Sequence, residues 1–142
     1  MARIKIDLPA SFSFTTLIPV RISDINYGNH VGNDSILSII HEARMHFLKS
    51  YDYTELKFEG VGMIMADVGI EFKSELFYGD VAIVSVTASG FGKVSFDLYY
   101  KLEKEVAGKK VLVATAKTGM VCYDYNNKKI VAVPDEAREK IQ

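Results

Sequence analysis

The 142-residue sequence has one cysteine (Cys122), three prolines and no tryptophan. A lone cysteine forms no intramolecular disulfide and builds no cysteine metal cluster, which fits a reducing compartment. The prolines, Pro9, Pro19 and Pro134, lie near the ends, and no repeat, low-complexity tract or linker interrupts the chain. Charge of one sign is also missing: 17 basic side chains face 18 acidic ones, for a net charge of -1 and a pI near 6.3. That excludes a broad basic field for nucleic acid or anionic lipid, so any anion site is local. No apolar run reaches the roughly 18 residues of a membrane span. Residues 1 to 10 carry charges at Arg3, Lys5 and Asp7 where a signal peptide needs an apolar stretch. The expectation is a cytoplasmic protein with neither nucleic acid nor membrane as partner.

Hydrophobic residues make up 49% of the chain and charged residues 25%, the balance of a folded globular protein. At roughly 150 residues per domain, residues 1–142 make one domain with its own core and leave no room for a second. Residues 12 to 22 alternate apolar and polar and predict a strand with Pro19 at an edge or bulge. Residues 23 to 33 hold two glycines and three asparagines and predict a loop. The segment 34 to 49 has helical periodicity, with Asn33 or Asp34 as its expected cap. Ile36, Ile39, Ile40, Ala43 and Phe47 form its apolar stripe, Leu37 and Leu48 widen it, and Ser38, Glu42, His46 and Lys49 share the opposite side. Strands are expected over 62 to 74, 80 to 89, 93 to 106 and 110 to 124, and a short surface helix or a frayed tail after Pro134. Strands of that length outrun the helix, so the sheet must curve around it in an α+β arrangement. Such a sheet has two edges and only one helix to cover it, which predicts a homodimer or homotetramer.

The chemically dense segment is the loop before the helix, Asp24-Ile-Asn26-Tyr-Gly28-Asn-His30-Val-Gly32-Asn33. It gathers acid, amide and imidazole groups at a helix N-terminus, whose unpaired amides suit a developing oxyanion. Gly28 and Gly32 allow a substrate carbonyl close to the backbone. The structural alternative is that Asp24, Asn26 and Asn33 only tie up turn amides. No metal-ligand spacing, glycine-rich phosphate loop or Gly-x-Ser-x-Gly elbow is present.

The chain resembles the hot-dog-fold acyl-CoA thioesterases, in the branch of 4-hydroxybenzoyl-CoA thioesterase. The resemblance rests on Asp24-x-Asn26-x-x-x-His30-Val31-x-Asn33 with Glu42-Ala43-Arg44 on the helix, on Phe77-Tyr-Gly-Asp80, and on Lys93-Val-Ser95-Phe96. It implies a hot-dog fold, one long central helix wrapped by a curved antiparallel sheet. The implied activity is hydrolysis of an acyl-CoA or acyl-carrier thioester without a cofactor, coenzyme A entering only as part of the substrate. The family's pattern has an acid where Asn26 stands. An amide accepts no proton at neutral pH, so the catalytic candidates are Asn26 as a positioning group with His30, Glu42 or Asp24 as base.

For Glu42 the alternative is a surface pair with His46 at i+4. Tyr27, Gly28, Val31, Gly32 and Asn33 are candidate substrate contacts, and the resemblance places Lys93 and Ser95 against coenzyme A phosphate or pantetheine. Tyr27, Phe58, Met63 and Met65 are candidates for an acyl or aryl pocket, with core packing as the alternative. Two rival functions stand beside hydrolysis. One is a non-catalytic acyl-thioester binder, which Asn26 favours. The other is a hot-dog enoyl-CoA hydratase, whose Asp-x-Asn-Pro-x-His spacing is one residue shorter than this loop.

Overall fold

The computed structural model describes residues 1–142. In chain order it contains β1 (Phe14–Pro19), a 3-10 turn (Ile22–Asp24), α1 (Asn33–Lys49), β2 (Gly62–Phe72), β3 (Val81–Ser89), β4 (Ser95–Val106), β5 (Lys109–Asp124), β6 (Lys129–Ile130) and α2 (Asp135–Ile141). The strands form one sheet in the order β1-β3-β4-β5-β2, antiparallel throughout, with β6 added beside β5. β1 and β2 thus occupy opposite edges, and α1, which follows β1, lies between them on one face.

The predicted helical stripe is the centre of the core. Ile36, Ile39, Ile40, Ala43, Phe47 and Leu48 are buried, and they join Val84, Val86, Leu98, Leu102, Ala114, Ala116 and Met120 from the sheet in one cluster of 29 side chains. Burying each of the larger groups contributes about 1.5–3 kcal/mol, so this face fixes where the helix sits. Arg44, on the same helix, turns inward: its Nη1 donates to the Tyr100 hydroxyl at 3.3 Å, which is 2.7 Å from Thr118 Oγ1. The buried Tyr100 phenol is pushed above the ordinary tyrosine range by desolvation.

Element boundaries differ from expectation where backbone groups find other partners. β1 stops at Pro19 because the Val20 amide donates to Asp80 and the chain bends into the 3-10 turn. β2 stops at Phe72 because the Lys73 and Ser74 amides both donate to the Val113 carbonyl. β4 begins at Ser95, two residues after Lys93, whose carbonyl accepts the Val133 amide. The Ala107-Gly108 hairpin is as expected, both residues having positive φ (52° and 78°) as a two-residue turn demands. Neither Asn33 nor Asp34 caps α1. Gly32 is the N-cap, with its amide donating to the Asp24 carbonyl and its own carbonyl accepting from Ile36, so the loop itself sets the start of the helix.

On the inner face of β2, Val68 and Phe72 stand opposite Thr118 and Ala114 of β5, both fully buried. Val68 is nonetheless 39% exposed, Phe72 51% and Met65 39%. α1 covers the centre of the sheet and leaves this edge of its inner face uncovered.

Candidate active site

The loop between the 3-10 turn and α1 closes on itself as a small hairpin. Ile25 and Val31 pair across it, the Asn26 amide donates to the His30 carbonyl at 2.9 Å, and the Asn29 amide donates to the Asn26 carbonyl at 3.1 Å. Asn29 takes the left-handed conformation at φ 65°, a turn that asparagine tolerates. Tyr27 lies at the tip with its side chain fully exposed and lines no cleft.

The Asn26 side chain bridges the loop. Its Oδ1 accepts the Gly28 amide at 2.9 Å, which leaves Nδ2 as the free donor. A methyl group on Gly32 would stand 2.6 Å from Asp34 Oδ1, and one on Gly28 would stand 3.2 Å from both Asn26 Oδ1 and His30 Nε2. Absence of a side chain at Gly28 therefore lets Asn26 and His30 approach one another, and at Gly32 it leaves room for Asp34 in the first turn of α1. No side chain caps α1, so the amides of its opening residues, Asn33 to Ser35, have no partner within the helix.

Two clefts flank α1, each of about 260 Å³. The first lies between α1 and β1, lined by Leu17, Ile18, Arg21, Asp24, Glu42 and His46 among others. Asp24 is buried there and accepts the Arg21 amide at 2.8 Å and the Arg21 guanidinium at 3.4 Å. His46 Nδ1 is 2.7 Å from Thr16 Oγ1, and its Nε2 is 3.6 Å from Glu42. The second cleft lies between the loop and the β2–β3 connection, lined by His30, Val31, Asn33, Ile36, Phe72 and residues 73–76. His30 stands in it with Nδ1 3.1 Å from the Val31 carbonyl and Nε2 3.9 Å from Glu75 Oε1.

The sequence model of the thioesterase-like superfamily matches residues 20–141. The chain belongs to this superfamily. It is 28% identical over 127 residues to the 1,4-dihydroxy-2-naphthoyl-CoA hydrolase of Nostoc punctiforme, covering 87% of this chain and 83% of that one. An aspartate-to-asparagine variant of 4-hydroxybenzoyl-CoA thioesterase, solved with 4-hydroxybenzoyl-CoA, superposes with a TM-score of 0.84 at 16% identity, covering 93% and 100% of the two chains. The 1,4-dihydroxy-2-naphthoyl-CoA thioesterase of Synechocystis superposes at 0.78 with 21% identity over 90% and 93%. The expected hot-dog architecture holds.

This thioesterase-like chain gathers only part of the expected site. Asn26, Gly28, His30, Val31, Gly32 and Asn33 come together at the start of α1. Glu42 and Asp24 are turned into the other cleft, where each already has a partner, so a single chain does not set either beside His30. The helical period placed Glu42 away from the apolar stripe but carried no information on which neighbour that face meets.

Lys93 and Ser95 precede and open β4. The β1–β3–β4 register puts them at the opposite end of the sheet from the loop, about 27 Å away at 3.3 Å per residue along β3. Phe58 and Met63 are core side chains at 0% and 2% exposure and line no pocket, while Met65 lies on the uncovered inner face of β2. Glu75, absent from the expected set, is in the cleft beside His30; an acid in a Lys-Ser-Glu turn gives no local signal.

No helix is long and apolar enough to cross a membrane, and no three His, Cys, Asp or Glu side chains converge to hold a metal ion.

Proposed function

We propose that the chain hydrolyses an acyl-CoA or acyl-carrier thioester to the free carboxylic acid and the thiol, at the loop that opens α1. The observation that carries this reading is His30 Nε2, unengaged by any hydrogen bond within the chain, in a cleft beside the free amide donor of Asn26 and an uncapped helix N-terminus. The thioester carbonyl oxygen sits against Asn26 Nδ2 and the first amides of α1, which stabilise the charge that develops on it. Water attacks the carbonyl carbon while His30 Nε2 takes one of its protons. The tetrahedral intermediate then collapses, the C–S bond breaks, and the imidazolium returns the proton to the departing sulfur. The reaction balances with water alone and calls on no metal or redox group.

The same reading makes the working form a homodimer or homotetramer. β2 is an edge strand, and its inner-face residues Met65, Val68 and Phe72 are exposed beside the core, a surface that a second copy would cover. Lys93 and Ser95 reach this loop only from another copy. Sedimentation at low micromolar concentration tests the assembly, and a monomer there removes any role for Lys93 and Ser95 in substrate binding.

Activity is tested with a panel of acyl-CoA thioesters and a thiol reagent. The only cysteine, Cys122, is buried and its thiol is pushed up to about 11, so the reagent reports released coenzyme A. Free coenzyme A supports hydrolysis, water addition to an enoyl-CoA makes the protein a hydratase, and saturable binding without turnover makes it a binder.

A further inference from the structure

We propose that Glu75 holds the hydrolytic water together with His30, as a second acceptor in the same cleft. This rests on the thioesterase reading above and adds to it a residue from another part of the chain. His30 Nδ1 is 3.1 Å from the Val31 carbonyl oxygen, which can only accept. Nδ1 therefore carries the ring proton in the neutral imidazole, and the lone pair is on Nε2.

Glu75 Oε1 faces that lone pair from 3.9 Å. The gap is too long for a direct hydrogen bond. It is the span covered by two hydrogen bonds of about 2.8 Å that meet at one water oxygen at about 90°. A water so placed donates one hydrogen to Nε2 and the other to the carboxylate. Its lone pairs then point away from both acceptors and into the cleft where the thioester carbon would lie. In the attack the proton on the Nε2 side passes to His30. The proton shared with Glu75 stays on the new carboxyl group, so the carboxylate gains no proton and orients the water without replacing the base.

The surroundings hold Glu75 in this role. The Glu75 carbonyl accepts Lys104 Nζ at 2.6 Å, the next carbonyl, that of Leu76, accepts the Val31 amide at 2.8 Å, and Ser74 Oγ donates to the Leu112 carbonyl at 2.7 Å. The turn is thus tied to the loop that carries His30 and to β4 and β5. Lys73 pairs with Glu71 at 3.1 Å, and Lys104, which bonds the Glu75 carbonyl, directs its charge to Asp80 at 3.6 Å, so His30 is the one basic side chain within ion-pair distance of the Glu75 carboxylate. The side chains are 31% and 60% exposed, which admits water to the gap.

The experiment compares the parent protein with Glu75→Gln, Glu75→Asp, His30→Gln and the Glu75→Gln/His30→Gln double variant, using 4-hydroxybenzoyl-, 1,4-dihydroxy-2-naphthoyl-, hexanoyl- and palmitoyl-CoA. Glu75→Gln lowers kcat about 10- to 100-fold with KM changed less than about twofold, since the group orients water and not the acyl chain. Glu75→Asp recovers part of the loss. In the His30→Gln background, Glu75→Gln adds less than about twofold, because both residues act on one water. A Glu75→Gln variant with kcat within about twofold of an active parent overturns this proposal alone, as do losses that multiply in the double variant. A parent without turnover on any substrate overturns both the proposal and the thioesterase reading.

Discussion

The two clefts beside α1 have the same volume and each combines carboxylate with imidazole, but their polar groups are arranged in opposite ways. On the β1 side, Asp24 is bonded to Arg21 within the 3-10 turn, and His46 lies between Thr16 of β1 and Glu42 of its own helix, so each acid or imidazole already has a partner. On the loop side, His30 uses one ring nitrogen on its own backbone and presents the other, Asn26 presents a free donor, and the helix start is uncapped. The first arrangement fastens β1 to α1 through Thr16 and His46 and closes the following turn on itself. The second leaves the unengaged His30 nitrogen in an open cleft with the Asn26 donor free on the same loop, which is what a reaction with an incoming carbonyl requires.

Removing the candidate base of each cleft in turn separates the two most strongly. His30→Gln is expected to lower kcat by about 10²- to 10⁴-fold, the usual worth of a positioned general base, whereas Glu42→Gln changes it less than about threefold. Steady-state kinetics of both variants on one acyl-CoA decide the matter, and the reverse order of effects would transfer the reaction to the β1-side cleft.

A smaller effect is expected at Asn26, where two influences oppose. Asn26→Asp keeps the acceptor for the Gly28 amide and places a carboxylate, favoured in its ionised form by the helix N-terminus, where the family pattern has one. It also removes Nδ2, the side-chain donor that the loop offers beside the start of α1, and sets negative charge beside the developing oxyanion. With His30 and Glu75 already holding the water, the loss of the donor wins, and kcat is expected to fall about 10-fold. A rise in kcat would show that the amide had left the site without its base.

These residues also mark how far the sequence could be read. The stripe Ile36, Ile39, Ile40, Ala43 and Phe47 was legible because helical periodicity is local, and so was the hairpin at Ala107-Gly108, whose backbone conformation favours glycine. The loop residues Asn26, His30 and Gly32 were legible because they are contiguous. What escaped depends on chain segments meeting late in the fold. The partner of the Glu42 face, the separation of Lys93 from the loop and the approach of Glu75 to His30 all follow from strand order β1-β3-β4-β5-β2, which no local spacing encodes.

Asp24 tests the structural half of the comparison. Its buried carboxylate satisfies the Arg21 amide, so Asp24→Ala leaves a donor without an acceptor and a small void, at a cost of about 1–3 kcal/mol. Thermal unfolding should shift down by roughly 3–10 °C, while kcat of the folded fraction stays within about threefold of the parent. A loss of kcat without a loss of stability would instead make Asp24 part of the reaction.

The smallest effect is expected on the outer face of the sheet, where an acid has partners as Asp24 does but lies away from both clefts. Lys117 Nζ is 2.9 Å from Asp67 and 3.3 Å from Asp97, and Asp67 also accepts the Gly119 amide. Lys117 and that amide hold the Asp67 carboxyl below the usual carboxylate range. A carboxyl whose value is lower in the folded state stabilises the fold above its unfolded value, near 3.9, and the contribution is lost as pH falls through the lower folded value. Asp67→Asn should therefore be less stable than the parent at pH 6–7 and converge with it in acid, once the pH is below the lowered folded value. Asp67 is largely exposed and solvent screens the pair, so the difference at neutral pH is expected to be under about 1 kcal/mol. Denaturant unfolding at neutral and acid pH measures it. A gap that persists unchanged into acid would show that Asp67 acts through its place at the break in β2–β5 register between Met65 and Asp67 and not through its charge, and a change in kcat would show that the outer face is coupled to the cleft that holds His30.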